Sequence, residues 1–151
     1  MLNSRKLEDL HPYLAQLAEE LTAACNADGI DLLITSTYRD FESQQMIYNQ
    51  GRSLESRGRG EKIVTNARPG DSWHNYRCAF DVVPLIGGKP SWSDNALWKR
   101  VGQHGVNVGL EWAGNWRTFK EFPHFQFTGG LTLADFKAGK TLDDVLEVVE
   151  E

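Results

Sequence analysis

Apolar residues recur at spacings of three and four from Leu7 through Leu10, Leu14, Leu17, Ala18 and Leu21. This stripe predicts an amphipathic first helix. Asn26-Ala27-Asp28-Gly29 ends it, with Gly29 suited to the left-handed residue after a helix. Ile30 to Thr37 is β-rich, and Leu32-Leu33-Ile34 predicts a buried strand. Asp40 is placed to cap a second helix, with Phe41, Gln44, Gln45 and Tyr48 at helical spacing and Gly51 as its stop. A strand is expected over 79–86, then a tight turn at Gly87-Gly88. Ser93-Asp94-Asn95 caps a third helix to about Gln103, and Gly105 to Trp112 reads as a glycine-punctuated stretch. Phe122 to Phe127 reads as a last strand, Pro123 marking an edge or a strand start. Thr132 and Thr141 each precede an Asp by three residues and predict short capped turns. The acidic end, Glu147 to Glu151, reads as solvated.

The 151 residues suit one domain, 1–151, with one core. A net charge of −5 argues against a nucleic-acid footprint. No window approaches the roughly 18 apolar residues of a membrane span. The N-terminus carries early charge and no apolar core, so no signal peptide is expected and synthesis is expected in the cytoplasm. Residues 51–71 hold Gly51, Gly58, Gly60 and Gly70 beside Arg52, Arg57, Arg59 and Lys62. Such a basic, glycine-rich loop is either a solvated connection or a substrate-binding lid. The two cysteines, Cys25 and Cys78, make no disulfide framework and no CxxC pair. Both read as small buried hydrophobes, and alternation along an extended segment sets Cys78 opposite Asp81.

Two of the four histidines are structural candidates: His11 before Pro12 at a helix start, and His104 beside Gly105 at a helix end. The other two differ. His74 lies in Ser72-Trp73-His74-Asn75-Tyr76-Arg77-Cys78-Ala79-Phe80-Asp81, and His124 in Glu121-Phe122-Pro123-His124-Phe125. Two imidazoles and a carboxylate offer three ligands to zinc, with a fourth position for water. A further acid, Glu121, is what such a site needs for hydrolysis. Asp81 precedes the apolar run Val82-Val83-Pro84-Leu85-Ile86, where a carboxylate is costly unless paired or metal-bound. By composition alone, a turn-capping Asp is an equal reading.

These segments resemble the SxHxxGxAxD signature and the downstream acid–x–Pro–His segment of zinc D-alanyl-D-alanine carboxypeptidases and dipeptidases. They are more similar still to the phage L-alanyl-D-glutamate endopeptidases of the same superfamily. The likeness covers most of the chain. It takes in Ser36-Thr37-Tyr38-Arg39 with the glutamine-bearing helix behind it, Gly109 to Trp116, and Gly130 to Asp135. The resemblance implies an α+β fold: one hedgehog-like, D-Ala-D-Ala-peptidase-like domain with a small, mostly antiparallel sheet flanked by helices.

It also implies roles. His74, Asp81 and His124 would bind Zn2+, at roughly 2.0–2.2 Å. The zinc-bound water would have a pKa of about 7. Glu121 would take its proton and deliver it to the leaving amine, the bland alternative being a salt bridge with Lys120. Arg39 would polarise the scissile carbonyl, a contact worth roughly 3–4 kcal/mol in the transition state; its alternative is an ion pair with Glu42. Ser72 matches a substrate contact or else caps a turn, and Gln45 is expected to line the cleft. Arg77 stands where the family has Gly, and either alters the turn or reaches a substrate carboxylate.

The implied activity is that of a phage endolysin cutting the L-Ala–D-Glu bond of peptidoglycan stem peptides for host lysis. The alternatives are a D,D-carboxypeptidase or D-Ala-D-Ala dipeptidase and, from another class, a non-catalytic wall- or metal-binding module. The expected enzyme is a monomer without a separate wall-binding domain, which suits a thin Gram-negative wall. It would wait in the host cytoplasm until a membrane-permeabilising partner (a holin) gives access to the periplasm and wall.

Overall fold

The fold is assembled on β2, Ala79–Ile86, the longest strand of a five-stranded antiparallel sheet. β1, Asp31–Ser36, pairs along one edge of β2, and β5, His124–Gln126, along the other. β4, Glu111–Trp112, adds outside β5, giving the order β1-β2-β5-β4. The short β3, Lys89–Pro90, folds back on the end of β2. Its hairpin turns at Gly87 and Gly88 with φ of 59° and 79°, the paired positive values that a two-residue turn between twisted strands demands. The coordinates, a computed structural model, describe residues 1–149; the side chains of Glu147 to Glu151, the expected acidic end, lie outside the described residues.

Two long helices cover one face of the sheet. α1, Pro12–Ala27, buries Leu14, Leu17, Ala18, Leu21 and Cys25 against β1 and against α4, Asn95–Val108. The stripe at three- and four-residue spacing is therefore the core face, but the helix begins later than the stripe does. Leu7–Asp9 forms a separate 3-10 turn, because Pro12 has no N–H to donate back and suits the first helical position. His11 is the N-cap, its Nδ1 accepting the Tyr13 N–H at 3.1 Å, as its position suggests. The Leu32-Leu33-Ile34 run is not buried throughout. β1 is the sheet's outer strand with one face covered, so Leu33 is exposed between half-buried neighbours.

The third helix also departs from the sequence reading. α4 does not stop near Gln103 but runs through Gly102 and Gly105 to Val108, and Gly109 closes it at φ 107°. The two glycines are there for close approach rather than termination. A Cβ on Gly102 would lie 2.3 Å from the Trp112 ring, and one on Gly105 would lie 2.3 Å from the Phe125 ring. His104 is therefore not at the helix end but before the last turn, its Nε2 bonded to Asp28 at 2.9 Å.

Residues 51–71 are not a bare loop. They contain α3, Leu54–Gly58, and then an extended stretch fastened to the preceding helix α2, Phe41–Asn49. The Arg52 guanidinium donates to the carbonyls of Tyr48 and Thr65 at 2.7 and 2.8 Å and lies 3.9 Å over the Tyr48 ring. Glu61 accepts from Ser56 at 2.9 Å and from Arg59 at 2.8 Å. The C-terminal turns form as expected. Thr132 and Asp135 cap α5, Leu133–Lys137, reciprocally, and Asp144 accepts the Thr141 N–H at the start of α6, Leu142–Val149.

Gly105→Ala tests the close-packing account. In an ordinary helix the change gains about 1 kcal/mol. Here the methyl meets Phe125, and the expected result is a loss of about 1–3 kcal/mol in urea denaturation.

Candidate metal centre and cleft

The β2–β5 register pairs Phe80 with Phe125 and Asp81 with His124. Because side chains alternate along a strand, the first pair points into the core and the second to the opposite face. Phe80 and Phe125 stack with centroids 5.9 Å apart. On the other face Asp81 meets His74, carried by the 3-10 turn Trp73–Tyr76 that leads into β2. One ligand atom from each of His74, Asp81 and His124 lies within 4.8 Å of the others. Asp81 Oδ1 is 3.2 Å from His74 Nε2 and 3.2 Å from His124 Nδ1. Both imidazoles are buried, and the rings meet edge to face at 5.1 Å.

The remaining ring nitrogens set the tautomers. His74 Nδ1 is 2.8 Å from the Thr37 carbonyl, which only accepts, so Nδ1 carries a proton. His124 Nε2 donates to Gln126 Oε1 at 2.7 Å. In the neutral rings the lone pairs are thus on His74 Nε2 and His124 Nδ1, the atoms that face Asp81. Ring protons held by outer carbonyl or amide oxygens are how proteins orient histidine ligands. Burial pushes the Asp81 carboxyl up, but the two imidazoles outweigh it and hold the group well below the usual carboxylate range. Burial likewise depresses His124, and Asp81 more than offsets this, holding the imidazole above its ordinary value. Two imidazole nitrogens and an ionised carboxylate converging at one point fit a divalent metal of nitrogen and oxygen preference. Cys78 stands outside this group. Its thiol is buried, donates to the Tyr76 carbonyl at 3.2 Å and is pushed up to about 12 by burial.

Arg39 and Glu121 border the same cleft, about 1090 Å³ in volume. Arg39 follows β1, whose register against β2 shifts between Ile34 and Ser36. Its N–H donates to the His74 carbonyl at 3.0 Å, and Asn75 Nδ2 donates to its carbonyl at 2.9 Å. The guanidinium donates to Gln44 Oε1 at 3.0 Å and to Ser36 Oγ at 3.3 Å. Burial lowers its pKa, while Asp81 and Glu121 oppose the shift. Among the described residues it makes no pair with Glu42, which faces the N-terminal amine at 3.4 Å. Glu121 is exposed, with Oε2 3.7 Å from His124 Nδ1, and it makes no ion pair with Lys120 among the described residues. Ser72 lines the cleft and also caps the turn, its Oγ accepting the His74 N–H at 3.3 Å. Both of its expected roles are therefore compatible with its position.

Two expected cleft residues are elsewhere. Gln45 points to solvent and bonds to Asn49 at 2.8 Å, because it lies on the outer face of α2. Its neighbour Gln44 is the inward residue: fully buried, it holds Arg39 with its oxygen and donates to the Ala67 carbonyl at 2.8 Å. Helical spacing admits both glutamines, and only the folded structure, which buries Gln44 against Arg39, separates them. Arg77 does not reach the cleft. It adopts the left-handed conformation, φ 63° and ψ 24°, that the family's glycine would supply. Its guanidinium turns away, lying 3.8 Å over the Tyr38 ring and donating to the Asp9 carbonyl at 2.6 Å.

Two substitutions check these placements. Gln44→Leu removes the partner of Arg39 and of the Ala67 carbonyl and is expected to cost about 1–3 kcal/mol in urea denaturation. Gln45→Leu is expected to stay within about 0.5 kcal/mol of the parent. Arg77→Gly relieves about 1 kcal/mol of backbone strain and loses a stacking contact of similar worth. Its melting temperature is expected to stay within a few degrees of the parent, as thermal denaturation would record.

Comparison with known proteins agrees with this architecture. The profile of VanY, D-alanyl-D-alanine carboxypeptidase, matches residues 7–129. Peptidoglycan L-alanyl-D-glutamate endopeptidase CwlK of Bacillus subtilis is 36% identical over 127 residues, spanning 78% of this chain and 73% of that protein. The L-alanyl-D-glutamate peptidase of Listeria phage A118 is 30% identical over 114 residues, 73% of this chain but 35% of the phage protein. A solved structure of the vancomycin-resistance D,D-pentapeptidase VanY, in complex with Zn(II), has a TM-score of 0.62 at 18% identity, covering 97% of this chain and 89% of that one. That likeness shows the fold, a single antiparallel sheet with flanking helices. On the profile match and the relation to the Bacillus enzyme, the chain belongs to the VanY D-alanyl-D-alanine carboxypeptidase family.

Proposed function

We propose that this chain is a zinc-dependent peptidoglycan peptidase that hydrolyses the L-Ala–D-Glu bond of stem peptides. The observation that carries the reading is the convergence of His74 Nε2, Asp81 and His124 Nδ1 beside Glu121 and Arg39. The names of the Bacillus and phage relatives support the choice of bond. The donor set supports zinc, as does the Zn(II) complex of the fold relative.

A zinc ion held by His74, Asp81 and His124 supplies Lewis acidity, which activates water and polarises a carbonyl. The chain's own groups do the rest. Glu121 is solvent-facing and next to His124, placed to accept a proton from the attacking water and return it to the departing D-Glu amine. Arg39 presents a half-buried cation to the cleft. Its Nη1 and Nη2 each give one donation, to Gln44 and Ser36, and each carries a second N–H that can serve the carbonyl oxygen as negative charge develops there. Gln44 and Ser36 hold the guanidinium, so little reorganisation accompanies the reaction.

The phage relative supports a role in host lysis, in which a separate membrane-permeabilising protein would open the way to the wall. Among the described residues no helix is long and apolar enough to cross a membrane. A second reading, release of terminal D-Ala, is favoured by the family profile, which carries the name of a D-alanyl-D-alanine carboxypeptidase.

Mass spectrometry of purified peptidoglycan digested with zinc-loaded protein decides among these. New N-terminal D-Glu is the expected product. Release of D-Ala would transfer the enzyme to the carboxypeptidase reading, and no product with zinc bound would favour a binding module. Glu121→Gln is expected to lower kcat by about 10²–10⁴-fold. Arg39→Ala is expected to lower it by about 10²–10³-fold. Chelation is expected to abolish turnover and added zinc to restore it.

A further inference from the structure

The cleft contains more than the proposed chemistry uses. Trp92 and Phe119 both line it, and both are strongly exposed, at 56% and 78%. Single exposed apolar residues are ordinary on protein surfaces. These two share a cleft with the candidate metal ligands, Trp92 held there by packing and Phe119 in a strained backbone conformation.

Trp92 is the outer end of an aromatic series running into the core. Its ring lies 6.3 Å from Trp98, which stacks on Phe122 at 6.3 Å, which in turn stacks on Trp112 at 5.8 Å. The Trp98 indole N–H donates to the Trp92 carbonyl at 2.9 Å and pins its backbone. Phe119 has a left-handed backbone, φ 54°, in the segment that delivers Glu121. An aromatic residue there costs of order 1 kcal/mol with no burial to offset it, and strain of this kind concentrates at functional sites.

The substrate's connectivity says what lies beside the scissile bond. In peptidoglycan the L-Ala amine is acylated by the lactyl group of N-acetylmuramic acid. A bond cut after L-Ala therefore lies about two residue lengths, roughly 7 Å, from a pyranose ring. The cleft, at about 1090 Å³, is at the upper end of ligand sites and exceeds the needs of a dipeptide. A pyranose presents a face of C–H groups that packs flat on an aromatic ring, while its hydroxyl and acetamido groups need polar partners. Thr65 and Asn66 line the same cleft.

We propose that Trp92 and Phe119 form a sugar subsite, so that the favoured substrate is a stem peptide still attached to the glycan. This rests on the L-Ala–D-Glu reading above. A preformed aromatic surface lowers the ordering cost of binding a flexible polymer.

Two substrates test it, a disaccharide-linked stem peptide and the same peptide without sugar, with kcat/KM read by mass spectrometry. The parent is expected to favour the sugar-linked form by at least about ten-fold, equivalent to about 1.4 kcal/mol. Trp92→Ala is expected to bring the ratio close to one, and Trp92→Tyr to keep most of it. Equal rates in the parent would overturn the proposal, as would an unchanged ratio in Trp92→Ala. A second measurement is independent of turnover: fluorescence titration of the parent and Trp92→Ala with the peptide-free disaccharide. Saturable quenching in the parent alone supports the subsite, and none in the parent refutes it. If neither peptide is cleaved at L-Ala–D-Glu, the bond assignment fails, and the titration still decides whether the sugar is bound.

Discussion

The pairing of β2 with β5 is the constraint on which the rest of the structure depends. One register sets Phe80 on Phe125 and Asp81 on His124. The first pair faces the helices and belongs to the core, and the second faces the cleft and belongs to the candidate metal centre. A slip of one residue would send the carboxylate and imidazole into the core and the two phenyl rings into water. Core packing and site geometry are therefore enforced by the same hydrogen bonds. Gly105 of α4 contributes to this, because only a residue without a side chain lets the helix close on Phe125.

A second layer of contacts converts that register into a defined donor set. The Thr37 carbonyl and the Gln126 amide oxygen each hold one histidine proton, so the opposite nitrogens face Asp81. Thr37 is in turn fixed by backbone bonding to Ser4 and by its hydroxyl on the Lys6 carbonyl. The N-terminal segment thus reaches the centre through one buried residue. Arg39 and the His74 turn are tied to each other by backbone and by Asn75, so the residue that carries the guanidinium is held against the turn that carries the first imidazole.

Much of this was legible in the sequence, and the failures share a cause. The amphipathic stripe, the Asp40 cap, the strand over 79–86 and the capped C-terminal turns are local patterns, and they formed. The His, Asp and His group was legible because its residues lie in compact motifs, and the structure brings those three together. Gln45 was named where Gln44 is buried, because helical spacing cannot say which of two adjacent polar residues meets Arg39 and the Ala67 carbonyl in the folded chain. Gly105 read as the start of a glycine-punctuated stretch because its partner, Phe125, comes later in the chain. Tertiary approach overrode the local preference.

Arg77 carries the same lesson into the motif itself. The family glycine at this slot suggested either an altered turn or a new contact with substrate. The backbone kept the left-handed turn, and the side chain found Tyr38 and Asp9 on the side away from the cleft. What this chain adopts at this position is a left-handed conformation, φ 63°, which glycine reaches without strain. The turn must reverse there so that His74 and Asp81, seven residues apart, meet at 3.2 Å. An arginine meets that requirement because stacking and one hydrogen bond offset the strain that glycine avoids. The approach of His74 to Asp81 is therefore kept with arginine at this position by backbone geometry, which the letters of the motif only encode indirectly.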